Sequence, residues 1–242
     1  MVVAAFELLD LISRRPGLNL SELARQSGFT VNRTFRLLGT LEGAGWVSRS
    51  RHKTYYLGPR LMMIAARGSK QDPLVQAARL PMDWLSEQTG ESVRLGVRVG
   101  ETRTIVSSRE SRFPLQVSVW LDDNIPLYAG ALGCCLLAFS PRELQEKVLA
   151  GPLERGSEAS RRDPTLLAAH LEQVRRSRVD AVIDHRHGLY SIASPILDHD
   201  GMAVGALGIF GATLRLPAEG PERYFELVRE AAERTARQLH GG

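Results

Sequence analysis

The stretch from residue 19 to residue 57 constrains the fold more than any other part of the chain. Asn19 stands three positions ahead of Glu22, the spacing of a reciprocal helix cap, and predicts a short helix over 19–26. Gly28 supplies a turn and Thr30 a second cap. From there Thr34, Leu37, Leu38 and Leu41 recur as one helical stripe up to about Gly43. Asn32, Arg33, Arg36, Gly39 and Thr40 fall on the other side, and a helix that only fills a core has no use for such residues beside its first turn. Beyond Gly45, Trp46-Val47 and Tyr55-Tyr56-Leu57 read as two strands joined by the polar tip Ser50-Arg51-His52-Lys53. Ahead of all this, residues 2–14 form a first helix with Val3, Phe6 and Leu9 at helical spacing, stopped by Pro16-Gly17.

Three short helices followed by a basic hairpin make a winged helix-turn-helix. In that design the third helix enters the major groove, where asparagine pairs with adenine and arginine with guanine through two hydrogen bonds. The expected DNA-facing set is Ser21, Thr30, Asn32, Arg33, Thr34 and Arg36, with Arg49, Arg51 and Lys53 of the wing on phosphates. Thr30 and the amides at the helix start suit another phosphate. Charge agrees: residues 1–60 carry nine Lys/Arg against four acids, whereas the rest carries 22 against 23. A basic unit attached to a near-neutral body is the electrostatic footprint of nucleic-acid binding. The rival reading is a sensor or enzyme whose N-terminal helices mediate protein contacts.

The 242-residue chain divides into residues 1–58, a linker helix over 59–72, and a domain over 73–242. In the last, Asp72 caps a helix that starts at Pro73 and runs to Thr89. Strands follow over 92–99, 102–108 and 115–120, then an apolar helix over 130–139. Ser140-Pro141 caps a helix to about 150, and Asp163-Pro164 starts one to 176. Strands over 179–183, 189–197 and 202–211 precede an amphipathic closing helix over 221–239. This mixture predicts an α+β domain with a largely antiparallel sheet.

The motifs "LNLSELARQSGF…FRLLGTLEGAGWV", "PLYAGALGCCLLAFSP" and "GLYSIASPILDHDGMAVGALGIFG" together resemble the IclR-type bacterial transcription regulators. The resemblance implies a homodimer or tetramer bound to a double-stranded DNA operator, and a GAF-like C-terminal domain that binds a small metabolite. The family's pocket matches Gly130, Ala131, Leu132, Ala181, Leu189, Ser191, Gly208 and Phe210. The chain departs from the family at Asn32-Arg33, where Ser-Thr is frequent, so its operator should differ. It also departs at Ala181, Gly208 and Phe210, where metabolite-binding members carry polar side chains. A small carboxylate would lose partners there, so the expected effector, where there is one, is more apolar or aromatic than a short keto acid.

Other constellations read as structural. His185 and His187, with His199 nearby, are spaced for a metal on a strand, but Arg186 intervenes and the segment reads as an exposed loop; no metal or cofactor is expected. Adjacent Cys134 and Cys135 read as small packing residues rather than a redox switch. Asp122-Asp123 reads as a turn rather than a carboxylate pair. No nucleophile elbow, Walker loop or dinucleotide fingerprint occurs, so no enzyme is expected. No apolar run reaches a membrane span, and the first twelve residues lack a basic flank and a cleavage site, so no signal peptide is expected. These features, with two unbridged cysteines, point to the cytoplasm.

Overall fold

The computed structural model describes residues 2–115, 125–153, 163–217 and 220–241, apart from the side chain of Ser69. The strand expected over 115–120 falls outside them, but for Leu115, which is in no strand; Asp122 and Asp123 also fall outside. The chain forms two compact units, Met1–Gln71 and Asp72–Gly242.

The first unit packs α1 (Val2–Arg14), α2 (Leu20–Ser27) and α3 (Val31–Gly43) against a hairpin of β1 (Val47–Arg49) and β2 (Tyr55–Leu57), followed by α4 (Pro59–Gln71). Its core joins Leu8, Ile12, Leu23, Leu38, Val47 and Tyr55. On α1 the buried stripe is Ala4, Leu8, Leu9 and Ile12, whereas Val3 and Phe6, expected to point inward, are exposed. The residues spaced by four have the core side of the helix, which leaves Val3 and Phe6 opposite. At Asn19 both halves of the reciprocal cap form: the Glu22 amide donates to the Asn19 side chain and the Asn19 amide to the Glu22 carboxylate. The exit of α3 is fixed by Gly45 at φ 77°, a left-handed conformation that glycine adopts without a Cβ clash. There the Gly45 amide donates to Glu42 O and the Trp46 amide to Leu41 O, the paired bonds of a Schellman stop. The hairpin is tied back to the α1–α2 turn, because Gly17 N donates to Tyr55 O and Tyr55 N to Leu18 O.

The second unit is a six-stranded antiparallel sheet in the order β5-β4-β3-β8-β7-β6. The strands are β3 (Ser92–Val99), β4 (Thr102–Arg109), β5 (Ile125–Pro126), β6 (Asp180–Asp184), β7 (Leu189–Leu197) and β8 (Ala203–Ala212). One face carries α5 (Pro73–Thr89) and α9 (Glu222–His240) over Val93, Leu95, Ile192, Leu207 and Ile209. The other carries α6 (Ala131–Ala138), α7 (Arg142–Ala150) and α8 (Pro164–Ser177) over Val182, Ala193, Ala206 and Phe210. Asp163 caps α8 as expected. Ser140 does not cap α7, because its hydroxyl is committed to Leu136 O at 2.6 Å. The outer face of α9 is laced by Arg229–Glu226 and Arg234–Glu230 pairs. Among the described residues, no helix is long and apolar enough to cross a membrane.

Candidate nucleic-acid interface and effector site

The N-terminus of α3 is built by Thr30, whose hydroxyl accepts from the Arg33 amide. That cap and the buried stripe beneath set the helix rotation, so Asn32, Arg33, Arg36, Gly39 and Thr40 all face outward around one open depression. Arg33 lies over the Phe29 ring at 4.2 Å, which orients the guanidinium without neutralising it. Among the described residues, none of Arg33, Arg36, Arg49, Arg51 and Lys53 is ion-paired to an acid. The face therefore keeps its positive charge.

Two corrections concern this helix. Thr34 is fully buried and its hydroxyl donates to Thr30 O, so it supports the helix and cannot reach a nucleic acid. Val31 and Phe35, missed in the sequence, are 49% and 57% exposed. Exposed apolar groups of this kind are what contacts to thymine methyls use. Ser21 is exposed on the first turn of α2. At the wing tip the Ser50 hydroxyl is bonded by the His52 and Thr54 amides and meets Thr54 Oγ1 at 2.6 Å. This knot holds Lys53 at φ 61°, with Arg51 and Lys53 exposed.

In the second unit, strand pairing decides which pocket residues meet. Gly208 pairs with Arg94 and Ala193, and Phe210 pairs with Ser92 and Ser191, which puts all of these on the α6 face. Leu189 shares that face at the strand end. Ala181 does not: it pairs with Ile192 and packs on the α5/α9 side, so it is removed from the site, and its neighbour Val182 takes the inward place. The absent side chain at Gly208 is required by strand packing, since a Cβ there would lie 2.7 Å from Ile192 O and 2.9 Å from Ala193 Cβ. Gly130 begins α6 at φ 79° with no side-chain cap, followed by buried Ala131 and Leu132.

The sequence reading also missed Arg103, which is 5% exposed. One of its terminal nitrogens lies 3.7 Å from where a side chain on Gly130 would begin, and its Nε has no hydrogen-bond partner among the described residues. Burial pulls its pKa down to about 10, partly opposed by nearby Cys134, so the group remains charged at neutral pH. A buried cation with an unmet donor beside an uncapped helix N-terminus can take an anion. Arg94, also buried, is already engaged by Glu110 through two bonds at 2.7 and 3.3 Å. That hydrogen-bonded arginine holds the Glu110 carboxyl below its usual range.

The histidine candidates for a metal are not brought together. His187 Nδ1 is bonded to Asp184 at 2.8 Å, and the His199 ring packs on His240 at 4.0 Å.

Residues 2–51 match the IclR helix-turn-helix domain, and residues 68–237 match the bacterial transcriptional regulator IclR C-terminal domain. The chain is 29% identical over 231 residues to the HTH-type transcriptional regulator BhcR of Paracoccus denitrificans, covering 94% of this chain and 83% of that one. It is 25% identical to the HTH-type transcriptional regulator KdgR of Escherichia coli, over 98% of this chain and 92% of that one. A putative IclR transcriptional regulator from Silicibacter has the same fold, with TM-score 0.84, 28% identity, and 100% and 96% of the two chains covered. An IclR homologue from Microbacterium hydrocarbonoxydans, solved with 4-hydroxybenzoate, superposes with TM-score 0.85 at 23% identity over 100% and 99% of the chains. The chain belongs to the IclR family of bacterial transcriptional regulators, with an N-terminal helix-turn-helix DNA-binding domain and a C-terminal effector domain.

Proposed function

We propose that this regulator reads its operator with Asn32, Arg33 and Arg36, assisted by Val31 and Phe35, while Thr30, Ser21, Arg49, Arg51 and Lys53 hold phosphates. The observation that carries this reading is the outward face of α3, where Asn32, Arg33 and Arg36 stand opposite the buried stripe Thr34, Leu37, Leu38 and Leu41. The protein works in the cytoplasm as a non-enzymatic regulator. It acts as a homodimer or higher oligomer whose paired third helices enter successive major grooves. The exposed apolar side chains Val2, Val3 and Phe6 on α1, and Met62, Met63 and Ile64 on α4, supply surface for self-association.

The effector is an aromatic or similarly bulky carboxylic acid. Its carboxylate lies between Arg103 and the first amides of α6, and its apolar body lies toward Phe210, Leu189 and Ser191. The expectation that a carboxylate finds no partner in this site is revised by Arg103. The 4-hydroxybenzoate bound by the Microbacterium homologue is of the same chemical class.

Selection of bound fragments from random DNA tests the first reading. A near-palindromic consensus is expected, with affinity that falls steeply as salt rises because phosphate contacts release counterions. Equal binding to all sequences at every salt concentration would overturn it.

A further inference from the structure

Behind the first turns of α6, three side chains from distant parts of the chain converge. The Cys134 sulfur, a His170 ring nitrogen from α8 and an Asp180 carboxylate oxygen at the start of β6 all lie within 4.8 Å of one another. Cys134 and Asp180 are buried, and His170 is half-buried. Among the described residues, this is the one group of three or more such side chains spaced to hold a metal. Nothing in operator reading or effector binding, as argued above, uses His170 or Asp180.

We propose that Cys134, His170 and Asp180 form a three-ligand site for zinc. The donor set is one thiolate, one imidazole and one carboxylate, which suits a borderline-soft cation and not the hard, all-oxygen cations. Bonds of zinc to such atoms place tetrahedral ligands roughly 3.4 Å apart. His170 Nε2 and Asp180 Oδ1, at 2.9 Å, are slightly inside that spacing, and the 4.8 Å limit asks only for a small inward movement of the thiol. Zinc binding releases the Cys134 thiol proton, now directed at Tyr128 O, to solvent, and a neutral His170 carries its ring proton on Nδ1 so that Nε2 can ligate in place of its bond to Asp180. Thiolate and carboxylate together balance its two charges, so the buried site is neutral. His170 and Asp180 also line a pocket of about 180 Å³ with Gln173, Ser177 and Phe225, which gives the ion a way in. The bound ion ties α6 to α8 and β6, and the Cys134 amide bonds Gly130 O one turn from the proposed effector site. Three protein ligands leave a fourth position for water or an anion.

The test uses the full-length protein, stripped by a chelator and titrated with Co²⁺ as a spectroscopic stand-in. One cobalt per chain is expected, with the near-ultraviolet charge-transfer band of a cobalt–thiolate bond, abolished by added Zn²⁺. Cys134→Ser should remove the band, whereas Cys135→Ser should keep it, because the Cys135 thiol points instead at Ala193 O. His170→Gln, a half-exposed position, should weaken zinc binding roughly tenfold or more with an unchanged circular dichroism spectrum. A folded wild-type protein with no band at saturating cobalt overturns the proposal. So does a band that survives Cys134→Ser, or a zinc affinity untouched by His170→Gln.

Discussion

Arginine is used in opposite ways in the two units. On α3, Arg33 and Arg36 stand in solvent, where a charge costs little to keep, and the Phe29 ring steers Arg33 without neutralising it. On β4, Arg103 is 5% exposed and its Nε is unbonded among the described residues, a setting where a charge is expensive unless something answers it. Register alone does not separate them: Arg98 and Arg103 pair across β3 and β4 and so share a face of the sheet, yet Arg98, beside the β3–β4 turn, is exposed and bonds Gly100 O, while Arg103 is covered beside Gly130. An exposed cation is available for any phosphate that passes. A buried one is a standing penalty that a specific anion relieves.

Replacing each arginine by a neutral side chain sharpens this contrast. Arg103→Met should cost an aromatic acid about 2–5 kcal/mol of affinity by calorimetry, since the anion then loses its buried partner. The same change should leave folding stability unchanged or raise it by about 1–4 kcal/mol in urea denaturation, as replacement of a buried ion by an apolar side chain does. Aromatic acid binding that is indifferent to Arg103→Met would break the comparison.

Arg33→Ala gives the opposite pattern. Stability should stay within about 0.5 kcal/mol, the range for surface changes. Operator affinity should fall by about 1–3 kcal/mol, with relaxed preference at one base pair of each half-site, as the proposed base-reading role of Arg33 requires. Competition binding with operator variants checks this. A loss equal for all sequences would move Arg33 from base reading to phosphate contact.

Thr30→Ala is expected to be smaller again. It removes the cap on the Arg33 amide and should destabilise the first unit by about 1 kcal/mol, read by thermal or urea unfolding. Thr30→Ser should restore most of it.

The same two regions differ in how far the sequence exposes them. Everything that shapes α3 is local: the Asn19–Glu22 cap, Thr30, the Thr34-Leu37-Leu38-Leu41 stripe and the Gly45 stop lie within a few turns of each other, and the structure repeats them. Where the reading failed in this unit, two apolar patterns competed. On α1 the four-residue spacing of Ala4, Leu8 and Ile12 displaces Val3 and Phe6, and on α3 Val31 and Phe35 fall outside the buried stripe. The effector side depends on strand parity and on contacts between distant residues. Ala181 was misplaced by one position, which in a strand means the opposite face. Arg103 carries no local mark of burial, since its neighbours Thr102 and Thr104 would suit an edge strand equally well. Cys134, His170 and Asp180 come from three separate elements, and only the packing of α6 and α8 on β6 brings them together.

The wing tip separates charge from backbone shape at a single residue, and there the expected effect is smallest. Lys53 holds φ 61°, a region that costs a side chain roughly 1–2 kcal/mol and costs glycine far less. The Ser50 hydroxyl and the Lys53 amide bond to Ser50 O lock this conformation in place. Lys53→Gly therefore removes the charge and relieves the strain together, whereas Lys53→Ala removes the charge and keeps the strain. Both should weaken binding to all DNA sequences alike and reduce the salt slope by about one. Only Lys53→Gly should raise stability, by about 0.5–1 kcal/mol. If the two variants bind DNA alike but differ in stability in that direction, the wing acts on DNA through charge alone. If Lys53→Gly binds DNA more weakly than Lys53→Ala, the rigid shape of the tip contributes to phosphate contact as well.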